Sequence, residues 1–262
     1  MKQLLLVVLL ALNSSAQIDV HAIVERSVQA NAQDWNAAPG YDHFERDRQP
    51  GGGTKTYEVM MILDSPYYRL VAIDGAALPR WQYEQEEQKL AAVLIQRRNE
   101  SVSERAERIA KYEKGRKRNR LLMDQLAKAM NFVFVGEQEL NGRQVYVLKA
   151  TPRADYQPPT MEAEVLRGME GELWIDEATF QWAKVQARVI RPVSIEGFLA
   201  RVEPGTRFQL EKIPVADNIW LPSHFSMKSQ ARVLFFFTRK SEEDETYYDY
   251  HEATAGEAAV AK

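Results

Sequence analysis

Residues 132–151 read FVFVGEQELNGRQVYVLKAT, and the reading of this stretch decides the fold. Two runs rich in β-branched and aromatic residues, Phe132–Gln138 and Arg143–Thr151, flank Asn141-Gly142. Asn-Gly adopts the positive φ angles of a two-residue hairpin turn at low cost, so the two runs pair antiparallel. Strand-like segments continue toward the C-terminus. Gly171–Asp176 and Phe180–Arg191 form another hairpin after a loop over Pro152–Pro159. Ile195–Val202, Thr206–Ile213, Ile219–Lys228, Ala231–Arg239 and Glu245–His251 follow, with turns at Pro204-Gly205 and Asp217-Asn218. Short connections of this kind join antiparallel neighbours.

Toward the N-terminus the pattern changes twice. From Glu84 to Asn131 it is helical and highly charged, with apolar patches at Leu90, Val93 and Leu94, at Ile109 and Tyr112, and at Leu122, Leu126 and Met130. Ser101 and Glu104 read as a capping box, and Gly115 marks a break, so this insert (84–131) holds two or three helices. Before it come strands at Tyr41–Arg48, Thr54–Asp64 and Tyr67–Asp74, the last two joined by a turn at Ser65-Pro66. Thr54–Asp64 is apolar on both faces, with Tyr57, Val59, Met61 and Leu63 on one and Met60 and Ile62 on the other. A sheet apolar on both faces needs a cover, and the insert is the candidate. An N-terminal helix capped by Asp19 runs to about Trp35. The fold class is α+β: a curved antiparallel sheet of about eleven strands under an N-terminal helix and a mid-chain helical insert.

The chain has 262 residues and no cysteine. Met1–Ala16 reads as an export signal, with Lys2, an apolar run Leu4–Leu12 and the small residues Ser14-Ser15-Ala16 before cleavage. The run is too short to span a bilayer, which needs about 20 residues. The remainder, with 33 basic and 37 acidic residues, reads as one domain over 17–252 and a tail over 253–262, exported to the periplasm. Without cysteine it carries no lipid anchor, thiol nucleophile or thiolate zinc site, and its stability must come from core burial.

Constellations for chemistry are absent from the pattern. His21, His43, His224 and His251 have no metal-ligand spacing. Gly51-Gly52-Gly53-Thr54-Lys55 departs from the phosphate-loop spacing and precedes a strand. No nucleophile elbow is present. The runs at Glu84–Glu87 and Glu242–Glu245 read as solvated faces rather than a glycosidase pair. An enzyme, a cofactor and a nucleic-acid partner are therefore not expected. The largest charge asymmetry lies in Arg97–Arg120, with ten basic residues against four acidic ones. This segment, and Arg116, Lys117 and Arg118 in particular, is the candidate contact for anionic headgroups or an acidic envelope partner.

Three segments carry a family resemblance: Gly136-Glu137-Gln138 through Val145-Tyr146-Val147-Leu148, Gly171-Glu172-Leu173-Trp174-Ile175-Asp176 with its return strand, and Ile219-Trp220-Leu221-Pro222. With the order of elements, they resemble the LolA-like outer-membrane lipoprotein-sorting proteins over most of 17–252. The resemblance implies a half-open β-barrel with helices over its mouth and acyl chains of lipids or lipoproteins bound between. The charged insert is longer than that pattern implies, and with ten basic candidates and no motif it transfers no functional residue. The expected lining comes from the apolar inventory: Met61, Leu63, Leu122, Leu126, Phe235 and Phe237. The expected protein is a monomeric, non-enzymatic carrier. The other reading is an envelope sensor or interaction module docking through the basic insert.

Overall fold

The computed structural model describes residues 18–195, 200–233 and 237–253. The export segment, Phe235 and most of the tail lie outside them. In chain order the elements are α1 (Val20–Ala37), β1 (Tyr41–Arg48), β2 (Thr54–Ile62), β3 (Ser65–Ile73) and β4 (Ala76–Ala77). Helices α2 (Arg80–Arg98) and α3 (Val102–Ala129) follow, then β5 (Met130–Leu140) and β6 (Arg143–Pro152). A 3-10 segment, Glu162–Gly168, leads into β7 (Met169–Asp176) and β8 (Trp182–Val189). The short β9 (Val193–Ile195) and β10 (Ala200–Val202) precede β11 (Arg207–Ala216), β12 (Ile219–Val233) and β13 (Phe237–Glu252).

Eleven strands form one antiparallel path in the order β4-β3-β2-β1-β13-β12-β11-β8-β7-β6-β5, with β10 and β9 attached to the end of β12. The two ends, β4 and β5, do not pair, so the sheet stays open. Asn141 and Gly142 make the β5–β6 turn with φ angles of 53° and 76°, as the Asn-Gly signal predicts. The β2–β3 turn is different from expectation. Leu63 and Asp64, not Ser65-Pro66, form it, with φ angles of 46° and 71°, and Ile62 pairs Ser65 across it. Leu63 is therefore a turn residue rather than a member of the strand face. A branched side chain in the left-handed region is costly.

The insert holds two helices. Ser101 caps α3 through the full capping box with Glu104. Gly115 does not break α3, whose 28 residues are continuous. The three strands read within 219–252 are instead two long ones, β12 and β13, paired in continuous register from His224↔Thr246 to Val233↔Phe237. Phe237 consequently shares a strand with Tyr247 and Tyr250 rather than lying in the neighbouring one.

The main core lies between α1 and one face of β5–β8. Ile23 and Val24 of α1 meet Leu148, Leu173, Ile175 and Trp182, all buried, with Leu126 of α3 and Phe208 and Leu210 of β11 packed around them. This helix-covered face is called the inner face here. Alternation puts Val145, Val147, Trp174 and Trp220 in a second cluster. The buried side of α1 is half polar: Ser27, Asn31 and Asp34 are as buried as Ile23. Lys212 of β11 donates to Asn31 at 2.9 Å and to the Asp34 carboxylate. Asp34 also accepts from Gln181 Nε2 and from the Trp220 backbone N–H, both at 2.9 Å. Burial pushes the Asp34 carboxyl up and the Lys212 ammonium down, and their mutual attraction opposes both shifts. The buried charges are tolerated here because Asp34 and Lys212 are paired and hydrogen-bonded, although Gln181 Oε1 beside them has no partner.

Candidate functional site

The other half of the inner face, on β1, β2, β3 and β13, carries polar and aromatic side chains rather than a closed aliphatic core. Strand register assembles it. Tyr57 lies opposite Glu45, and Tyr68 opposite Val59. Glu45 lies opposite Tyr247, and Asp47 opposite Glu245. The tyrosines make an aromatic wall: Tyr57 and Tyr68 meet edge to face with centroids 6.3 Å apart. His43 stacks on Tyr250 at 5.0 Å and tilts against Tyr247 at 5.8 Å. Tyr250 donates its hydroxyl to the Pro222 carbonyl at 2.7 Å, which fixes the ring.

Inside this wall three carboxylates converge. Ligand oxygens of Glu45, Asp47 and Glu245 all lie within 4.8 Å of one another. Burial, reinforced by Asp47 and Glu245, pushes the Glu45 carboxyl up to about 8. Burial likewise raises Asp47 and Glu245. His43 offers no compensating charge, because burial pulls it down to about 4. Tyr247 donates to Glu245, while Asp47 Oδ1 and His43 Nδ1 are shut from solvent without a hydrogen-bond partner. Such groups attract protons or other donors. Sequence reading placed Glu245 on a solvated face and passed over Glu45 and Asp47. The available signal was their alternation within Tyr41–Arg48, which puts both carboxylates on one side of a strand.

The insert approaches this site from the β3 end, and arginines tie it down. Arg97 of α2 donates to the carbonyls of Ile62 and Ser65 at 2.7 and 2.8 Å and to that of Pro66 at 3.1 Å. Arg108 of α3 donates to the Leu63 carbonyl at 3.0 Å and to Ser65 Oγ at 2.6 Å, while pairing with Glu100. Arg105 reaches Asp64 at 2.9 Å. The strained β2–β3 turn is thus held by three guanidinium groups from the insert. On β3, Arg69 pairs with Glu58 and with Glu87 of α2. Apolar burial contributes much less. Among the described side chains of residues 80–128, only Glu86 is buried, and Trp81 and Ile95 are 62% and 60% exposed.

The expected site residues are scattered by comparison. Met61 is half-buried on β2, and Leu122 and Leu126 are half-buried on α3. Leu126 belongs to the main core cluster, which does not include Met61. Phe237 opens β13 opposite Val233. Arg116 is not a free surface cation: it donates to the Trp35 carbonyl, pairs with Glu113 at 2.8 Å and lies over the Trp35 and Tyr112 rings. Lys117 is exposed. A cavity of about 640 Å³ opens on the outer face of the sheet, where Lys149, Glu172, Arg188, Gln209, Lys228 and Glu242 line it. Among the described side chains, Met61, Leu63, Leu122 and Leu126 do not border it. No described helix is long and apolar enough to cross a membrane.

A scan against family models finds no match, and a search of curated proteins finds none either. Solved structures do show a likeness. A domain named for outer membrane lipoprotein sorting, from Vibrio parahaemolyticus, is 12% identical with a TM-score of 0.31 over 90% of this chain and 96% of its own. A LolA superfamily protein from Nitrosomonas europaea is 12% identical with a TM-score of 0.29, covering 94% and 99%. The MucA/MucB complex of Pseudomonas aeruginosa contributes a chain 11% identical with a TM-score of 0.27, covering 91% and 100%. The chain resembles LolA-superfamily structures. At these identities and scores the likeness carries no inference about activity.

Proposed function

We propose that this chain is a periplasmic, non-enzymatic binder or carrier of lipid or lipoprotein acyl chains. The acyl chain lies between the inner face of the sheet and the helical insert. One observation carries this reading: the insert is held to the β2–β3 turn by arginine hydrogen bonds, while among its own described side chains at 80–128 only Glu86 is fully buried. Such a cover opens without dismantling a core, because loosely packed elements sit at the low-stability end of a fold. The lining we propose is Met61, Leu122 and Leu126, with Leu63 at the turn, together with Phe235 and Phe237. The domain is 17–252, freed by cleavage after Ala16.

Purified protein mixed with a fluorescent fatty acid should take it up and release it to unlabelled competitor. Native mass spectrometry should show the added mass. A clean apo mass together with no fluorescence uptake would sink the idea. The second reading, docking on an anionic surface or acidic partner, is favoured by the exposed stripe Lys111, Lys114 and Lys117 on α3. Reversing the three lysines is expected to leave fatty-acid uptake unchanged. If uptake is nil and the reversal abolishes salt-sensitive binding to anionic vesicles, the docking reading replaces the carrier.

A further inference from the structure

We propose that the cavity on the outer face of the sheet binds a hydroxyl-rich anion, a sugar or polyol carrying a phosphate or carboxylate group, with Arg207 as its anion contact. Strand register builds the site. One row crosses five strands in the order Glu170, Arg188, Arg207, Lys228 and Glu242. Residues directly opposite one another have Cβ atoms about 4.5–5.5 Å apart, and like charges so placed repel. The two outer cations are answered from the ends of the row. Arg188 donates to Glu170 at 2.9 Å, and Lys228 pairs with Glu242 at 3.3 Å. Arg207, between them, is exposed and has no ion pair or side-chain hydrogen bond among the described residues. It borders the cavity of about 640 Å³. An anion there relieves the repulsion and gains a forked, charge-assisted hydrogen bond from the guanidinium.

The neighbouring row sets the chemistry of the rest of the ligand. Glu172, Gln186, Gln209, Ser226 and Asp244 stand opposite one another in turn. Each lies two residues along its strand from a member of the cationic row, and so on the same face. Gln186 donates to Gln209 at 3.0 Å and Gln209 to Glu211 at 2.9 Å, which fixes both amides. Gln186 Oε1, the Ser226 hydroxyl and the Glu172 carboxylate keep free hydrogen-bonding capacity among the described residues. A bare anion would meet the Glu172 carboxylate with nothing to donate to it, and an acyl chain would leave the whole row unmatched. Hydroxyl groups match it, because each one both donates and accepts. The volume falls within the range of small-molecule sites, about 300–1,000 Å³.

Isothermal titration of the ligand-free protein at low salt tests this with glucuronate, glucose 6-phosphate, glucose and inorganic phosphate. At least one of the two anionic sugars should bind, and about tenfold or more tighter than either glucose or inorganic phosphate. Arg207→Gln, which removes no native ion pair, should weaken that binding by about tenfold or more, the scale of one lost charge-assisted hydrogen bond. Lys117→Gln, on the exposed face of α3, should leave it unchanged. Binding of glucuronate alone assigns the site to a carboxylate, and binding of glucose 6-phosphate alone assigns it to a phosphate. No binding of either anionic sugar, equal binding of glucose or of inorganic phosphate, or an affinity unchanged in Arg207→Gln would overturn the site. The cavity lies on the face of the sheet away from the proposed acyl site, so the outcome is independent of whether lipid is carried.

Discussion

Asp34 shows how much can rest on one side chain. It accepts from Lys212, Gln181 and the Trp220 backbone, and so joins α1 to β11, β12 and the residue that leads into β8. Replacing it strands a buried ammonium and two donors. Asp34→Ala should destabilise the protein by about 3–5 kcal/mol, the range for breaking a buried pair from one side. Urea unfolding followed by tryptophan fluorescence measures this. A loss below about 1 kcal/mol would mean that Lys212 finds water or another partner. Lys212→Met should cost less, because an apolar chain of similar length replaces the buried charge, although Asp34 then keeps only its two other donors. The pattern of α1 alone gives no warning of this network. Asn31 and Asp34 share the helical face of Ile23 and Val24, and only β11 passing beneath them supplies the partner that keeps them there.

At the scale of elements, α3 is the sharpest case. Gly115 sits within its 28 residues with nothing within 4 Å of an added Cβ, so it neither turns the chain nor admits a close neighbour. Gly115→Ala should stabilise α3 by roughly 0.5–1 kcal/mol, the ordinary difference in helix propensity. The thermal midpoint should rise by a few degrees, and a fall would restore the expected break. The elements that were legible carry local instructions: Asp19 caps α1, Ser101 and Glu104 cap α3, and Asn141-Gly142 turns β5 into β6. The long ribbon was not legible. The polar stretches Lys228–Gln230 and Lys240–Asp244 look like turns, yet they pair in register, with Ser229 and Ser241 hydroxyls 2.6 Å apart. Polar residues remain in a strand when their face is solvated, and a single sequence does not reveal which face that is.

For the whole molecule, the sheet has two halves of different chemistry. The β5–β8 half is a packed core with α1 fixed on it by hydrogen bonds and apolar burial. The β1–β3 and β13 half is aromatic and acidic, with the insert tied to it at the β2–β3 turn and through the Arg69–Glu87 pair. Composition and charge pointed to the insert as the distinctive part and to its arginines as a docking surface. The structure assigns Arg97, Arg105, Arg108 and Arg116 to internal tethers instead. The acidic cluster was invisible beforehand because β1 and β13 lie at opposite ends of the chain and meet only when the sheet assembles.

The central claim is that an acyl chain lies between the inner face and the insert. A fatty acid carrying a photoreactive group in mid-chain, irradiated with the protein and mapped by peptide mass spectrometry, tests it most directly. The account predicts adducts on inner-face or insert residues such as Tyr57, Met61, Tyr68, Leu122 and Leu126, lost when unlabelled fatty acid competes. Adducts confined to the outer-face cavity around Arg188 and Gln209, or labelling that competitor does not reduce, would contradict it.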